Sequence, residues 1–228
     1  VWDNTQMSLA SRNSKVPLVS FEEKGVEKRI SQTGRTYYIA RPALEADVII
    51  SLGKLKTHTL TLMTCGIKNM FGVIPGFRKG EYHKEYPKPE MFAEVIVDIF
   101  STVKPKITLV DAIVGMEGDG PSSGQPNYLG FLLASQDAVA MDTVAAKILG
   151  FKDGEIDSTR IAAKRGLGVN DLSQIEITGE SIDKVKPLSF KLPSNRFLKL
   201  IPKFLVDLIS PLVWVRPNIY DGNCTNCN

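Results

Sequence analysis

One short segment brings two lysines and a histidine close together in the sequence. It reads Gly53-Lys54-Leu55-Lys56-Thr57-His58 and directly follows an apolar run that ends at Leu52. If the segment is extended, the two-residue period of a strand places Lys54, Lys56 and His58 on one side. Ammonium groups bind a carboxylate or a phosphate, and a histidine transfers a proton or ligates a metal. The spacing therefore predicts an anion site with His58 and Lys56 as candidate catalytic groups, and a solvated strand end is the alternative.

A second segment places a lysine and an asparagine between apolar residues. It reads Gly66-Ile67-Lys68-Asn69-Met70-Phe71-Gly72. Cations favour the C-terminal end of a helix because the dipole is negative there, so this spacing favours a helix cap at Lys68 and Asn69. Cys65, just before the segment, has no cysteine or histidine at ligand spacing and is predicted to be a buried small residue.

A glycine-rich acidic segment occupies residues 111–124 and starts inside a predicted strand. Glycines permit a left-handed backbone and let successive N–H groups converge on an anion. The carboxylates of Asp111, Glu117 and Asp119 offer the opposite use, which is a divalent cation site. A tight turn without a ligand is the third interpretation. The glycines that would supply the N–H groups are Gly118, Gly120 and Gly124.

Two cysteines close to the end of the sequence, Cys224 and Cys227, form a C-x-x-C motif. Redox pairs, zinc ribbons and ferredoxins all use this spacing. Four thiolates normally hold a [4Fe–4S] cluster, so these two alone cannot complete one. Because His58 and His83 are the two histidines of the sequence, a multi-histidine zinc site is excluded.

The charge balance argues against a general nucleic-acid binder, because 28 basic and 25 acidic residues leave a formal charge of +3. Basic residues outnumber acidic ones by seven to three in residues 54–90, and acidic ones outnumber basic ones by eight to two in residues 107–157. A polar cleft results if folding joins these stretches, and two solvated faces result if it does not.

No apolar run reaches the roughly 18 residues of a membrane span, and the first residues do not resemble a signal peptide. We therefore expect a cytoplasmic protein. The sequence opens without Met and closes directly after the cysteine pair, so we also expect that both ends were cut from a longer protein.

Strands and helices must alternate to position these residues. Predicted strands are residues 16–21, 35–39, 46–53, 107–114, 129–134 and 175–178. Predicted helices are residues 60–70, 92–103, 138–149 with Asp137 as the cap, and 156–165. Residues 73–89 and 115–124 are predicted loops. The alternation predicts an α/β fold with a three-layer, mixed or mostly parallel sheet flanked by helices. We assign residues 1–183 to this domain and residues 184–228 to a linker and amphipathic tail that leads into the cysteine pair.

Four segments, taken in order, resemble the family called DUF362. They are residues 46–58, 66–72, 117–121 and 134–142. In that family a ferredoxin-type module beginning C-x-x-C-x-x-C often follows the domain, so the resemblance implies that Cys224 and Cys227 begin such a module. It implies a [4Fe–4S] cluster in the full protein, and it names no substrate. The residues to which it gives a site role are Lys54, Lys56, His58, Lys68 and Asn69.

We therefore expect an iron–sulfur-associated redox protein, in which the α/β domain binds a small anion or a redox partner and a downstream module transfers electrons. One alternative is an enzyme without redox chemistry that holds an anionic substrate with its lysines and a metal with its acidic loop. A non-catalytic binding domain is the other, and it would keep the basic group without needing carboxylates opposite it.

Overall fold

The computed structural model describes residues 2–195 and residue 200 of the chain. Within them the strands are β1 (Val26–Ile30), β2 (Thr36–Ala40), β3 (Ile50–His58), β4 (Leu62–Thr64), β5 (Ile107–Asp119) and β6 (Ser123–Ser135). The α-helices are α1 (Met7–Ser14), α2 (Arg41–Glu45), α3 (Gly66–Asn69), α4 (Arg78–Glu85), α5 (Pro89–Thr102), α6 (Ala138–Leu149), α7 (Asp157–Lys164) and α8 (Ile182–Val185). Short 3₁₀ turns lie at Met70–Val73 and Leu172–Gln174.

Four strands form one mixed sheet in the order β4–β3–β5–β6. Strands β3 and β5 run parallel, with Lys54 opposite Asp111, whereas β4 and β6 are antiparallel to their neighbours. Strands β1 and β2 pair in a separate antiparallel hairpin. The chain passes from β3 to β5 through β4 and the helices α3 to α5, as a parallel pair requires a long crossover. The mixed sheet with its helices confirms the predicted α/β class.

The helices pack on one face of this sheet. Leu55, Val110 and Phe131 lie on that face in a core cluster shared with α6, and α3 also contacts β3. The alternate strand positions point the other way, where Leu52 is 73% exposed and Leu132 is 66% exposed. Within the described residues, the second helical layer of a three-layer arrangement is not found.

Helix α6 forms where the sequence predicts it because both ends carry strong signals. Asp137 Oδ1 accepts hydrogen bonds from the backbone N–H groups of Val139 at 2.8 Å and Ala140 at 3.0 Å. Gly150 ends the helix with a φ of 92°, a left-handed conformation that glycine adopts without a steric penalty. The predicted helix at residues 138–149 and its cap are confirmed.

No helix in residues 2–195 has both the length and the apolar character needed to cross a membrane.

A buried carboxylate fixes the β1–β2 hairpin to the helices. Asp98 on α5 is fully buried, and its carboxylate accepts hydrogen bonds from Thr33, Arg35, Tyr37 and Arg165. The first three belong to the hairpin region and Arg165 follows α7. A buried charge requires such partners, because removing it from water without them is strongly unfavourable.

Several predicted elements were wrong where long-range pairing outweighed local pattern. Residues 16–21 and 175–178 are not strands. Residues 60–70 do not form one helix, because Leu62–Thr64 instead pairs with the end of β3. The chain turns into this strand at Leu62, which has a φ of 65°.

Two predicted loops are also regular structure. Residues 73–89 contain α4, and most of residues 115–124 extends β5 and β6 into a long hairpin. Gly124 is needed in this hairpin for close packing rather than for a loop. A Cβ atom at Gly124 would lie 2.4 Å from Met116 Cγ on the paired strand.

Candidate functional site

A buried carboxylate on α6 positions the lysine and asparagine of the second segment. Asp142 Oδ1 accepts a hydrogen bond from Gly66 N at 2.7 Å, and Oδ2 accepts one from Ile67 N at 3.2 Å. These N–H groups begin α3, so Asp142 caps a helix that is distant in sequence. Burial raises the pKa of Asp142 to about 6, although the hydrogen bonds to Cys65 and to these N–H groups oppose the shift.

The residues around this cap are tightly packed. A Cβ atom at Gly66 would lie 3.0 Å from Asp142 Oδ1 and 3.1 Å from Thr108 Cγ2, so a larger residue would push the cap away. Cys65 is 1% exposed, and burial together with the Asp142 charge raises the pKa of its thiol. The prediction that Cys65 is a buried small residue is confirmed.

Asn69 connects the end of α3 to the sheet through a hydrogen bond. Its Nδ2 donates a hydrogen bond to Ser51 Oγ on β3 at 2.8 Å. A Cβ atom at Gly53 would lie 3.5 Å from Asn69 Cγ, so the strand and the helix end approach closely there. Asn69 therefore has a structural contact that sets the position of its neighbour, Lys68.

Lys68 lies in a strongly basic environment. Burial, together with the charges of Lys79 and Lys56, lowers the pKa of its ammonium group to about 8. Its Nζ atom lies 5.6 Å from the centroid of the Phe71 ring, a cation–π distance. Among residues 2–195, no ion pair involves Lys56, Lys68 or Lys79.

His58 ends β3 and caps the turn that follows. Its Nδ1 accepts hydrogen bonds from Leu60 N at 3.1 Å and Thr61 N at 3.4 Å. Burial lowers the pKa of the ring to about 3, and the charges of Lys68 and His83 act in the same direction. His58 is therefore neutral at physiological pH.

His83 on α4 lies against His58 and the aromatic core. Its ring centroid is 6.2 Å from that of His58, in a stacked arrangement, and 4.1 Å from that of Phe92. Burial lowers its pKa, and so does the charge of Lys68. Lys56, His58, Lys68, Lys79 and His83 are called the basic cluster below.

Lys54 is not brought into the basic cluster. Its Nζ atom forms an ion pair with Asp111 Oδ2 at 2.8 Å, and the two side chains are each 43% exposed. This contact lowers the pKa of Asp111, and it engages a carboxylate that we expected to bind a cation.

The other two predicted cation ligands are not grouped with Asp111. Glu117 Oε2 accepts hydrogen bonds from Asn127 Nδ2 at 2.7 Å and Lys191 N at 3.0 Å. In the described part of the chain, no three residues among His, Cys, Asp and Glu lie close enough to hold a metal ion. The predicted set of Asp111, Glu117 and Asp119 is therefore not assembled there.

The same part of the chain does not supply the four thiolates of a [4Fe–4S] cluster. Cys65, its one cysteine, is buried beside Asp142. Cys224 and Cys227 lie outside the described residues.

The tip of the β5–β6 hairpin reaches the end of β3, so the glycine-rich segment and the Gly53–His58 segment meet there. Thr59 N donates a hydrogen bond to Gly120 O at 2.9 Å, and a Cβ atom at Gly120 would lie 2.2 Å from Thr57 O. However, Gly118 N donates to Lys191 O, and Gly120 N donates to Gly118 O. These two N–H groups are thus already bonded within the protein.

Sequence reasoning missed His83 and Lys79 as members of the site. They are four residues apart on α4, a spacing that places two side chains on one side of a helix. That signal was present in the sequence, but it has meaning only if α4 is recognised as a helix.

We predict that His58 makes the protein sensitive to acid. Its folded pKa of about 3 lies below the ordinary value of 6.5, so between these values the unfolded chain binds a proton that the folded chain does not. The stability that comes from this difference is present above the unfolded pKa and is lost as the pH falls toward the folded pKa. The slope is at most about 1.4 kcal/mol per pH unit, measurable by urea denaturation at a series of pH values.

The control for this titration is His58→Asn, whose side-chain oxygen replaces Nδ1 as the acceptor of the turn but does not titrate. The variant should have a shallower pH dependence between about 6 and about 4, where histidines normally titrate. An unchanged dependence would assign the acid sensitivity to other groups.

Comparison with known proteins gives the chain a family. The model of the family described as "Domain of unknown function (DUF362)" matches residues 1–147. The chain is also similar to the thylakoid-associated protein sll1697 of Synechocystis sp., with 36% identity over 156 residues, which is 68% of this chain and 48% of that protein. The chain thus spans about half the length of this relative. No solved structure matches the chain. The resemblance of the four sequence segments is confirmed, and the chain belongs to the DUF362 family.

Proposed function

We propose that this chain binds a small anionic ligand at the basic cluster, with Lys68 as the main charged contact. One observation carries the proposal: the His58 and His83 rings stack at 6.2 Å, Lys68 lies near enough to act on both of them and to be acted on by Lys56 and Lys79, and none of these lysines has an ion-pair partner in residues 2–195. Neighbouring like charges are unfavourable, and an anion between them would turn that repulsion into attraction.

The pKa of Lys68 is lowered first by burial and then by the charges of Lys79 and Lys56, and both causes disfavour the ammonium form while the site is empty. Each hydrogen bond between an ammonium group and a bound oxyanion contributes about 1.5 to 3 kcal/mol to binding. Such a bond is stronger where bulk water is excluded. An anion that contacts Lys68 would therefore also raise the pKa of that ammonium group, since an opposite charge favours the protonated form.

Access to the site supports the same conclusion. Among the described residues, the fully buried side-chain polar atoms that lack a hydrogen-bond partner are Thr57 Oγ1 and Thr159 Oγ1. Lys56, Lys68, Lys79 and His83 are half-buried, whereas His58 is buried. The three lysines and His83 thus keep part of their side chains exposed, and we propose that a small ligand approaches the basic cluster from that side.

Replacing Lys68 tests this function, and the same replacement of Lys54 is the matched control. Lys68→Met should weaken the binding of inorganic phosphate by about tenfold to a hundredfold, the equivalent of one charge-assisted contact. Lys54→Met should change it by less than about twofold, because Lys54 is paired with Asp111 and its exposed contact is weak. Isothermal titration calorimetry measures both. Equal effects of the two substitutions would refute the assignment of the site to the basic cluster.

A redox role for the whole protein is the second part of the proposal. Its support is the C-x-x-C motif of Cys224 and Cys227 together with the cluster implied by the resemblance. The alternative in which Asp111, Glu117 and Asp119 hold a divalent cation gains no support from their separate contacts. A non-catalytic binding domain remains consistent with the basic cluster.

Iron and sulfide analysis of the intact protein tests the redox role. We expect a brown protein with about four iron atoms per cluster, and a lower iron content after Cys224→Ala. An intact protein that stays colourless after anaerobic reconstitution would exclude it and would leave the anion site untouched.

The setting that we propose for this function is the cytoplasm. The matched relative is named for an association with thylakoids. Attachment to a membrane surface is accordingly the alternative setting for the same anion site.

A further inference from the structure

The backbone fixes which nitrogen of each histidine carries the proton. His58 Nδ1 accepts two backbone N–H groups, so the proton of the neutral ring is on Nε2. His83 Nδ1 lies 2.7 Å from Lys79 O. A carbonyl oxygen can only accept, so His83 Nδ1 donates and its Nε2 keeps a free lone pair.

The orientation of the His83 ring is held by packing. Phe92 lies at 4.1 Å between centroids and Phe71 at 5.7 Å. The hydrogen bond to Lys79 O comes from the preceding turn of the same helix. Because burial lowers the pKa of His83, the ring is neutral and the lone pair is available.

The basic cluster therefore combines four donors with one acceptor. The donors are the ammonium groups of Lys56, Lys68 and Lys79 and the Nε2–H group of His58. The acceptor is His83 Nε2. An anion that binds between these groups and has only acceptor oxygens would satisfy the donors, but it would leave the lone pair of His83 without a partner. An anion that keeps a hydroxyl group can donate to that lone pair.

Resting on the anion site proposed above, we infer that the basic cluster selects anions that carry a hydroxyl donor and that His83 is the selecting residue. Hydrogen phosphate and hydroxycarboxylates share this chemistry. Sulfate and simple carboxylates lack it. A site that leaves a polar group without its partner rejects the analogue that causes the mismatch, which is the usual origin of such selectivity.

Two matched ligand pairs test the inference. Sulfate has the tetrahedral shape of hydrogen phosphate without its proton, and acetate resembles glycolate without its hydroxyl group. Isothermal titration calorimetry of the full chain near neutral pH should show that the hydroxyl-bearing member of at least one pair binds at least about tenfold more tightly, the equivalent of one hydrogen bond. The pair that shows the larger preference identifies a phosphate or a hydroxycarboxylate as the ligand.

Substitution of His83 locates the selectivity. His83→Phe keeps an aromatic ring beside Phe92 but removes the lone pair, so the two members of each pair should bind with about equal affinity. His83→Gln supplies an acceptor oxygen and should recover part of the preference. If neither variant folds, the ¹⁵N resonance of His83 Nε2 in the unaltered protein should shift when the hydroxyl-bearing ligand is added. It should shift much less with the ligand of the same pair that lacks the hydroxyl group.

The outcomes separate this inference from the proposed function. Equal binding within both pairs, or a preference that survives His83→Phe, overturns the role of His83 and leaves an anion site. Absence of binding by all four ligands overturns both.

Discussion

The buried carboxylate of Asp142 is the interaction on which the site depends. Helix α3 has four residues, which is too short to be stable by itself. Asp142 holds its first N–H groups from α6, and Asn69 holds its other end to β3. The position of Lys68 is thus set by two polar contacts from outside its own helix. The requirement for glycine at position 66 follows from the same contact, since a side chain there would displace the carboxylate.

With α3 held in this way, positive charge accumulates without compensation. The charges of Lys56 of β3 and Lys79 of α4 act on Lys68. The carboxylates of Asp111 and Glu117 are engaged elsewhere, Asp111 with Lys54 and Glu117 with Asn127 and the backbone of Lys191. The two neutral histidines add hydrogen-bonding capacity without adding charge. Arrangements that are unfavourable in the empty protein persist where a ligand relieves them, and groups with perturbed pKa values cluster at such sites.

The sequence was sufficient for those parts of the fold that local signals specify. The cap at Asp137, the apolar spacing and Gly150 together set the bounds of α6. The parts that failed depend on pairing between distant segments. A strand period of two predicted that Lys54, Lys56 and His58 act together, but the pairing of β3 with β5 is irregular between Lys54 and Lys56 and places Lys54 opposite Asp111. Register of this kind is decided by the partner strand.

The residues that form the site show the same limit of prediction from sequence. Lys56, His58 and Lys68 were identified as candidates, whereas Lys79 and His83 were hidden in a segment whose glycines and prolines indicated a loop. That segment forms α4 because Tyr82 is buried in the main core beside Phe71. Burial against a distant surface is a tertiary effect that local composition does not contain.

The most direct test of the central claim is an NMR titration of the Lys68 side chain with and without phosphate. The account predicts a pKa of about 8 in the free protein, well below the ordinary value of 10.5, and a rise when phosphate binds, because the anion stabilises the ammonium form. A Lys68 pKa near its ordinary value that does not respond to phosphate would contradict the existence of a crowded, uncompensated cationic site.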